Sequence, residues 1–169
     1  MSTELLNAFL APAQTVWANV IKTPLRFWRS GTETTDHTMS ELTAVIEVVG
    51  SVQGTVLYTI DGPDMRAISR KMIENQTISP DINYSHLSPD ALAEACFLQI
   101  AQMVTAESIK ILRKTGMSCI LSSARLLKPK GSPLGRAAGQ HMVVAFRSTA
   151  GNLKIRIHNE LVQAATKAA

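Results

Sequence analysis

The chain has 169 residues, of which 46% are hydrophobic and 18% are charged. This length and composition predict one globular domain, residues 1–169, and exclude a disordered chain. The segment from Glu4 to Ile21 is apolar and helix-like, but Pro12 and several polar residues interrupt it and no basic leader precedes it. We therefore expect neither a signal peptide nor a membrane span. Two cysteines, Cys96 and Cys119, indicate no disulfide framework, so we expect a reducing cytoplasm.

The net charge of +4 is small, but it is distributed unevenly. Ten Lys or Arg and no Asp or Glu lie between Ser108 and Asn159, while eleven of the thirteen acids lie between Glu33 and Glu107. One interpretation is an anionic partner for the C-terminal half: an acidic protein, a phosphoryl group or nucleic acid. The other, which we favour, is the wet face of a sheet, because Lys154 alternates with apolar residues. Few aromatics accompany the basic residues, so nucleic acid is not expected.

The first half of the chain predicts a helix followed by a hairpin. Apolar residues at helical spacing, with Ser2 or Thr3 as a cap, predict a helix that ends before Pro24. Residues 30–40 are polar and predict a loop. The following β-branched residues predict antiparallel strands at 41–50 and 54–60, joined by a tight turn.

The second half predicts two helices and three strands. Pro63 starts a helix, and Ser88-Pro89-Asp90 is a strong start for a long helix that ends near Gly116. A strand near 118–127, a loop "KPKGSPLGRAAGQ", and a hairpin of "HMVVAFRS" and "NLKIRIHN" follow, and 162–169 is expected to be a frayed tail. This order predicts an α+β fold with helices packed on an antiparallel sheet.

The long helix carries two uncharged amides on one face. At 100° per residue, Gln99 and Gln102 fall in the same sector as Ala95 and Ala106. Small side chains around two polar ones allow another surface to approach closely, although exposed glutamines are good helix formers and need no function. A separate apolar stripe is predicted to face the sheet. Its members are Ala93, Phe97, Ile100, Met103, Val104 and Ile111.

Other residues that could carry chemistry favour structural roles. The four histidines have no partner at ligand spacing, so no metal site is predicted. They are His37, His86, His141 and His158. Cys96, Trp17 and Trp28 are predicted to pack in the core. The basic loop residues Lys128 and Lys130 can ring an anion together with Arg136, but we favour a flexible basic loop.

Several motifs together resemble one known family. "LLNAFLAPAQTVW", "VIEVVGSVQGTVLYTI", "IAQMVTAES" and "HMVVAFRSTAGNLKIRI" resemble, in order, the first helix, first hairpin, long helix and closing hairpin of the CheC/CheX/FliY family of chemotaxis phosphatases, and of its CheX branch in particular. The resemblance spans nearly all of the chain. It implies a CheC/CheX-like fold in which the long helix is the functional one.

The resemblance also implies a chemistry for the two amides. The family's motif is Glu-x-x-Asn, in which the amide orients the water that attacks the aspartyl phosphate of a response regulator, and the acid contacts a lysine of that regulator. Such hydrolysis depends on positioning of the water, and any Mg²⁺ is held by the regulator rather than by this chain. Aligned on Ala101-x-Met103, Gln99 takes the place of the acid and Gln102 that of the asparagine.

This chain departs from the family pattern at several positions. Gln99 lacks the charge of the motif acid, Gln102 is longer than asparagine, and the family's Pro-Thr-Val after the helix is Ser123-Ala124-Arg125. Two alternatives follow: a domain that docks a phosphorylated CheY-like regulator without hydrolysing it, which we favour, or a slow phosphatase in which Gln102 positions the water. The resemblance further implies a cytoplasmic homodimer, with no cofactor of its own.

Overall fold

The computed structural model describes residues 3–35, 41–127, 139–158 and 160, which form three α-helices, one 3₁₀ turn and seven strands. The helices are α1 (Thr3–Ile21), α2 (Gly62–Glu74) and α3 (Pro89–Lys114), and the 3₁₀ turn is Tyr84–His86. The strands are β1 (Arg26–Thr35), β2 (Leu42–Gly50), β3 (Gly54–Ile60), β4 (Cys119–Leu121), β5 (Arg125–Leu126), β6 (Gly139–Ser148) and β7 (Gly151–His158).

All strands belong to one antiparallel sheet. Its order is β1-β6-β7-β3-β2-β4. The short strand β5 pairs with the same edge of β2 as β4 does, further along that strand. Because β3 and β7 are neighbours, the sheet joins the N-terminal hairpin to the C-terminal one. The predicted α+β architecture is confirmed.

Helix α3 lies at the centre of the core, in contact with α1, α2 and strand β2. Its inner side is buried over a wide arc that includes Phe97, Ile100, Val104 and Leu112. Length and mean hydropathy alone would allow α3 to cross a membrane. Its packing between the other helices and the sheet accounts for that apolar character without a membrane.

The ends of α3 follow from local sequence. The Ser88 hydroxyl accepts a hydrogen bond from the Ala91 N–H at 3.2 Å, which satisfies one of the free amides of the first turn. Gly116 adopts φ of +73° just after the helix, as predicted for a left-handed terminus. The chain then enters β4 beside Gly50, where a Cβ would lie 2.3 Å from the Ser118 carbonyl oxygen. Only glycine permits this close approach, which fixes β4 against β2.

Two predicted boundaries are wrong. Residues 30–35, predicted as loop, continue the ten-residue edge strand β1, because β6 supplies a full antiparallel partner for a polar sequence. The predicted strand near 118–127 is broken into β4 and β5 by a connection at 122–124, and both pieces pair with β2. Residues 36–40 of the predicted loop and the predicted tail at 162–169 lie outside the described residues.

The charge asymmetry of the sequence is partly balanced in the folded chain, where four of the ten basic residues have an acidic partner among the described residues. Arg156 is buried, not on a wet face, and its guanidinium contacts Glu33, Glu41 and the Thr59 hydroxyl. Lys154 pairs with Glu41 at 2.7 Å. Two further pairs are Arg125 with Glu47 and Lys110 with Glu107. These pairs weaken the case for a broad anion-binding surface in the second half.

Two other predictions are also corrected. Trp17 is buried as expected, but Trp28 is 42% exposed on β1. The histidines are not all scattered, because His141 and His158 pair across β6 and β7 with ring centroids 5.1 Å apart. Within the described ranges, no group of three His, Cys, Asp or Glu could hold a metal ion. His37, Lys128, Lys130 and Arg136 lie outside those ranges.

Candidate docking face on helix α3

The two glutamines and two alanines identified from the sequence lie along the outer side of α3. Gln102 and Ala106 are exposed, and Ala95 and Gln99 are half-buried. Met103 also belongs to this outer side, with 38% of its surface exposed, although the sequence placed it beside the core. We call the surface formed by Ala95, Gln99, Gln102 and Ala106 the docking face.

The Gln99 amide is engaged by the segment that connects α2 to α3. Its Oε1 accepts a hydrogen bond from the Ser79 N–H at 3.0 Å, and its Nε2 donates one to the Thr77 carbonyl oxygen at 2.9 Å. The Thr77 hydroxyl in turn donates to the Val20 carbonyl oxygen at 2.9 Å. Gln99 is therefore part of a polar junction between α1, α2 and α3, a role that its sequence position did not indicate.

The Gln102 amide makes no hydrogen bond to any part of the chain that the structure describes. It lies at the edge of a groove of about 240 Å³ between α3 and the β4–β5 connection. The groove is lined by Gln102, Thr105, Ala106, Ile109, Leu121, Ser122, Ser123 and Ala124. Gln102 is thus the member of the docking face whose polar atoms remain available to a ligand or water.

The floor and far wall of the groove are fixed by hydrogen bonds. The Ser122 hydroxyl accepts from the Glu47 N–H at 2.9 Å and donates to the Ser123 carbonyl oxygen at 3.2 Å. The Thr105 hydroxyl donates to the Ala101 carbonyl oxygen at 2.8 Å, within its own helix. These two hydroxyls are committed to the fold, so the side chains of Gln102 and the exposed Ser123 are the polar groups of the groove that have no hydrogen bond to the described residues.

Two of the positions at which the sequence departs from the family it resembles line this groove together. Gln102 stands on one wall, and Ser123 and Ala124 stand on the other. The two positions are about twenty residues apart in sequence, and only the antiparallel return of β4 and β5 along β2 brings them together. Sequence analysis found both differences but not their proximity.

The chemistry available at the docking face is limited. Burial raises the pKa of the Cys96 thiol to about 11, so this cysteine on the inner side of α3 stays protonated and has the predicted core role. Toward the C-terminal end of the helix the charged groups are Lys110, paired with Glu107, and the exposed Arg113 and Lys114. No carboxylate lines the described groove, so Gln102 can orient a water or a partner group but cannot act as a base.

Comparison of the sequence with protein-family models and with curated proteins gives no match. Comparison of the structure with solved structures gives several. The class of protein defined by the fold is an α+β domain with one antiparallel sheet and a central long helix, and the solved structures that share it include chemotaxis proteins.

Three of these solved structures cover nearly the whole chain. A CheC-like superfamily protein from Shewanella sp. PV-4 has 19% identity and a TM-score of 0.72, over 93% of this chain and 97% of that one. Chemotaxis protein CheX from Vibrio vulnificus has 19% identity and a TM-score of 0.65, over 92% and 98%. CheX in a CheX–CheY–BeF3–Mg²⁺ complex from Borrelia burgdorferi has 14% identity and a TM-score of 0.63, over 90% and 95%. The chain therefore has the CheC/CheX-like fold that its motifs indicated.

Proposed function

We propose that this chain is a CheX-like signalling domain that docks a phosphorylated CheY-like response regulator through the docking face of α3. The fold and the order of the motifs support this proposal, and one structure of the same fold is a CheX–CheY complex. The observation that carries it is the state of Gln102, an exposed amide that lines a groove and has no hydrogen bond to the described residues. Such a group suits a partner that approaches the small side chains of Ala95 and Ala106.

We propose docking with little or no hydrolysis. The family's chemistry uses an acid and an amide one turn apart, whereas here the position of the acid holds a neutral amide. That amide is already engaged by Ser79 and Thr77, so it offers only a weak contact to a cationic partner group. The alternative is slow hydrolysis, in which Gln102 alone positions the attacking water.

The remaining expectations belong to the same proposal. The domain acts in the cytoplasm as a homodimer joined through sheet edges, and any Mg²⁺ is held by the regulator. The ten-residue strand β1 is the outermost of the described strands, and its outer edge would supply the surface for such pairing. Sedimentation velocity over a range of concentrations tests the dimer, and a monomer at all of them would contradict it.

The test of docking and hydrolysis uses a response regulator loaded with acyl phosphate. We expect measurable binding to the phosphorylated regulator and a rate of phosphate loss close to that of the regulator alone. Ala106→Leu places a bulky side chain at the groove and should abolish binding while the helix remains intact. Gln53→Ala, an exposed glutamine of the β2–β3 turn, is the control and should bind normally.

The two alternatives are separated by the double variant Gln99→Glu with Gln102→Asn, which restores the family's motif. Faster phosphate loss with this variant than with wild type supports the alignment of the motif and the docking geometry. Substantial acceleration by wild type, lost in Gln102→Ala, would instead establish the phosphatase alternative. An absence of binding to regulators in either phosphorylation state would overturn the proposal.

A further inference from the structure

A second polar site lies near the N-terminal end of strand β1, whereas the one acid of this strand, Glu33, lies near its C-terminal end. Arg26 on β1 and Arg147 on β6 are direct cross-strand partners. Together with Pro24, Ser148 and Thr149 they line an open cavity of about 430 Å³. Like charges placed directly opposite each other on a sheet destabilise it, so this pairing needs an explanation.

No carboxylate balances these guanidinium groups. Arg26, Arg29 and Arg147 are all exposed, and in the described part of the chain none of them forms an ion pair. Elsewhere in the fold Lys110, Arg125, Lys154 and Arg156 each have an acidic partner. Arg113 and Lys114 are also exposed without an ion pair in the described chain, but they follow one another on a helix, whereas Arg26 and Arg147 face each other across two strands.

An acid does lie near the adjacent turn, but it is used by the backbone. Asp64 of α2 accepts a hydrogen bond from the Asn152 N–H at 2.9 Å, on the far side of the β6–β7 turn. A Cβ added to Gly151 would lie 3.0 Å from the Asp64 side chain, so this acid is packed tightly against the turn. It is held in place by the fold and fixes the turn.

Trp28 holds one guanidinium in a defined position. The Arg147 guanidinium carbon lies 3.4 Å from the centre of the Trp28 ring, and that of Arg29 lies 4.6 Å from it. Cation–π contact of this kind limits the conformations of a long side chain and leaves the edges of the guanidinium free to donate. The bulge in β1 between Phe27 and Arg29 directs Trp28 to this place.

The rim of the cavity is also ordered. The Ser148 hydroxyl donates to the Gly151 carbonyl oxygen at 2.9 Å and accepts from the N–H groups of Ala150 and Gly151 at 3.1 and 3.2 Å. This network fixes the turn that carries the exposed Thr149. The cavity therefore combines the Arg147 guanidinium, held by Trp28, and the exposed Arg26 with the Thr149 hydroxyl on a hydrogen-bonded turn.

We propose that this cavity is a binding site for an oxyanion of the phosphate class. Two guanidinium groups offer parallel N–H donors that match two phosphate oxygens each, and the anion would relieve the repulsion between Arg26 and Arg147. The site shares no residue with the docking face. Its occupancy therefore does not depend on the proposed function.

The experiment titrates inorganic phosphate into the whole protein at low ionic strength and follows Trp28 fluorescence, with heats of binding as a second readout. Trp17 is fully buried and supplies a constant background. Saturable binding is expected in the wild type, and Arg26→Gln and Arg147→Gln should each weaken it by about tenfold or more. Arg70→Gln, which removes an equally exposed charge from α2, is the matched control and should bind normally.

Two further arms identify the source of the phosphate group. A phosphoserine peptide, or vesicles that contain phosphatidic acid, should compete with inorganic phosphate for the same arginines if the natural ligand is a phosphoprotein or a lipid. Chloride at equal ionic strength should not change the fluorescence. Equal weakening by Arg26→Gln and Arg70→Gln, or no saturable binding of phosphate, would overturn the proposal.

Discussion

Gln99 and Gln102 lie one turn apart on the same side of α3, yet their amides are in different states. Both polar atoms of the Gln99 amide bind the α2–α3 connection, while those of Gln102 face the groove without a partner in the described residues. One glutamine holds the fold together and the other remains free. The resemblance implies that the two positions act together, whereas in this structure only the Gln99 amide is bound by described residues.

The two arginines of the β6–β7 hairpin differ in the same way: one has partners within the described fold and the other has no ion pair there. Arg156 is buried and contacts two carboxylates, and Arg147 is exposed beside another arginine. Polar groups that are satisfied within a fold stabilise it, and polar groups that are left free are available for a partner. Stability and binding measurements should therefore separate the members of each pair.

The largest effect on stability is expected at Arg156. Arg156→Met leaves Glu33 and Glu41 without their shared partner, and the side chain of Glu41 is only 17% exposed. Because Glu41 keeps its pair with Lys154 and Glu33 is partly exposed, we expect a cost of about 2–3 kcal/mol in the free energy of unfolding. Arg125→Met, which breaks the exposed pair with Glu47, is the control and should cost less than about 1 kcal/mol. Urea unfolding measures the free energy of unfolding of both variants. Equal losses would contradict the expected difference between the buried cluster and the exposed pair.

The next largest effect is a loss of stability in acid, caused by His141. Burial lowers the pKa of His141 from 6.5 to about 4, and the charges of His158 and Arg156 act in the same direction. Between these values the unfolded chain binds the proton and the folded chain does not, so the free energy of unfolding falls as pH falls. Between pH 7 and pH 5 the titration of His141 is expected to lower the free energy of unfolding by about 2 kcal/mol.

The measurement compares urea unfolding at pH 7 and pH 5 in the wild type and in His141→Phe. The variant should lose less stability than the wild type over this range, because it lacks the titrating group. His86→Gln removes an exposed histidine of the 3₁₀ turn and should behave as the wild type. An unchanged pH dependence in His141→Phe would show that His141 does not titrate in this window.

Much of the fold could be predicted because its signals are local. The caps of α3, the helix periodicity and the β2–β3 turn each depend on a few neighbouring residues, and the structure places these elements close to the predicted bounds. Strand β1 could not be predicted in full, because its polar residues form a strand only when β6 pairs with them. Strand formation there depends on a partner more than one hundred residues away in sequence.

The candidate site could also be predicted only in part from the sequence. Helical spacing alone placed Gln99 and Gln102 on one face with Ala95 and Ala106, which the exposure of this face agrees with. Periodicity gives the direction of a side chain but not its distant neighbours. The hydrogen bonds from Gln99 to Thr77 and Ser79, and the wall formed by Ser123, depend on tertiary packing.

The comparison of the two glutamines is tested by one substitution made twice. Gln99→Met removes the donor to the Thr77 carbonyl and the acceptor of the Ser79 N–H while keeping the length of the side chain. We expect a loss of about 1–2 kcal/mol in the free energy of unfolding, since two partly buried groups lose their partners. Gln102→Met changes no described hydrogen bond and should cost less than about 0.5 kcal/mol. Similar losses at both positions would mean that the Gln99 contacts do not stabilise the junction.

The smallest effect on stability should accompany the largest effect on docking. Gln102→Ala removes an exposed side chain from a helix, where alanine is the better helix former, so the free energy of unfolding should stay within about 0.5 kcal/mol of the wild type. If Gln102 is the free contact of the docking face, the affinity for a phosphorylated regulator should fall about tenfold, the usual scale for one lost polar contact. Surface plasmon resonance with the regulator immobilised measures this change, with Gln53→Ala as the control. Unchanged affinity in Gln102→Ala, together with lost affinity in Gln99→Met, would assign the docking contact to Gln99 and reverse the division of tasks between the two glutamines.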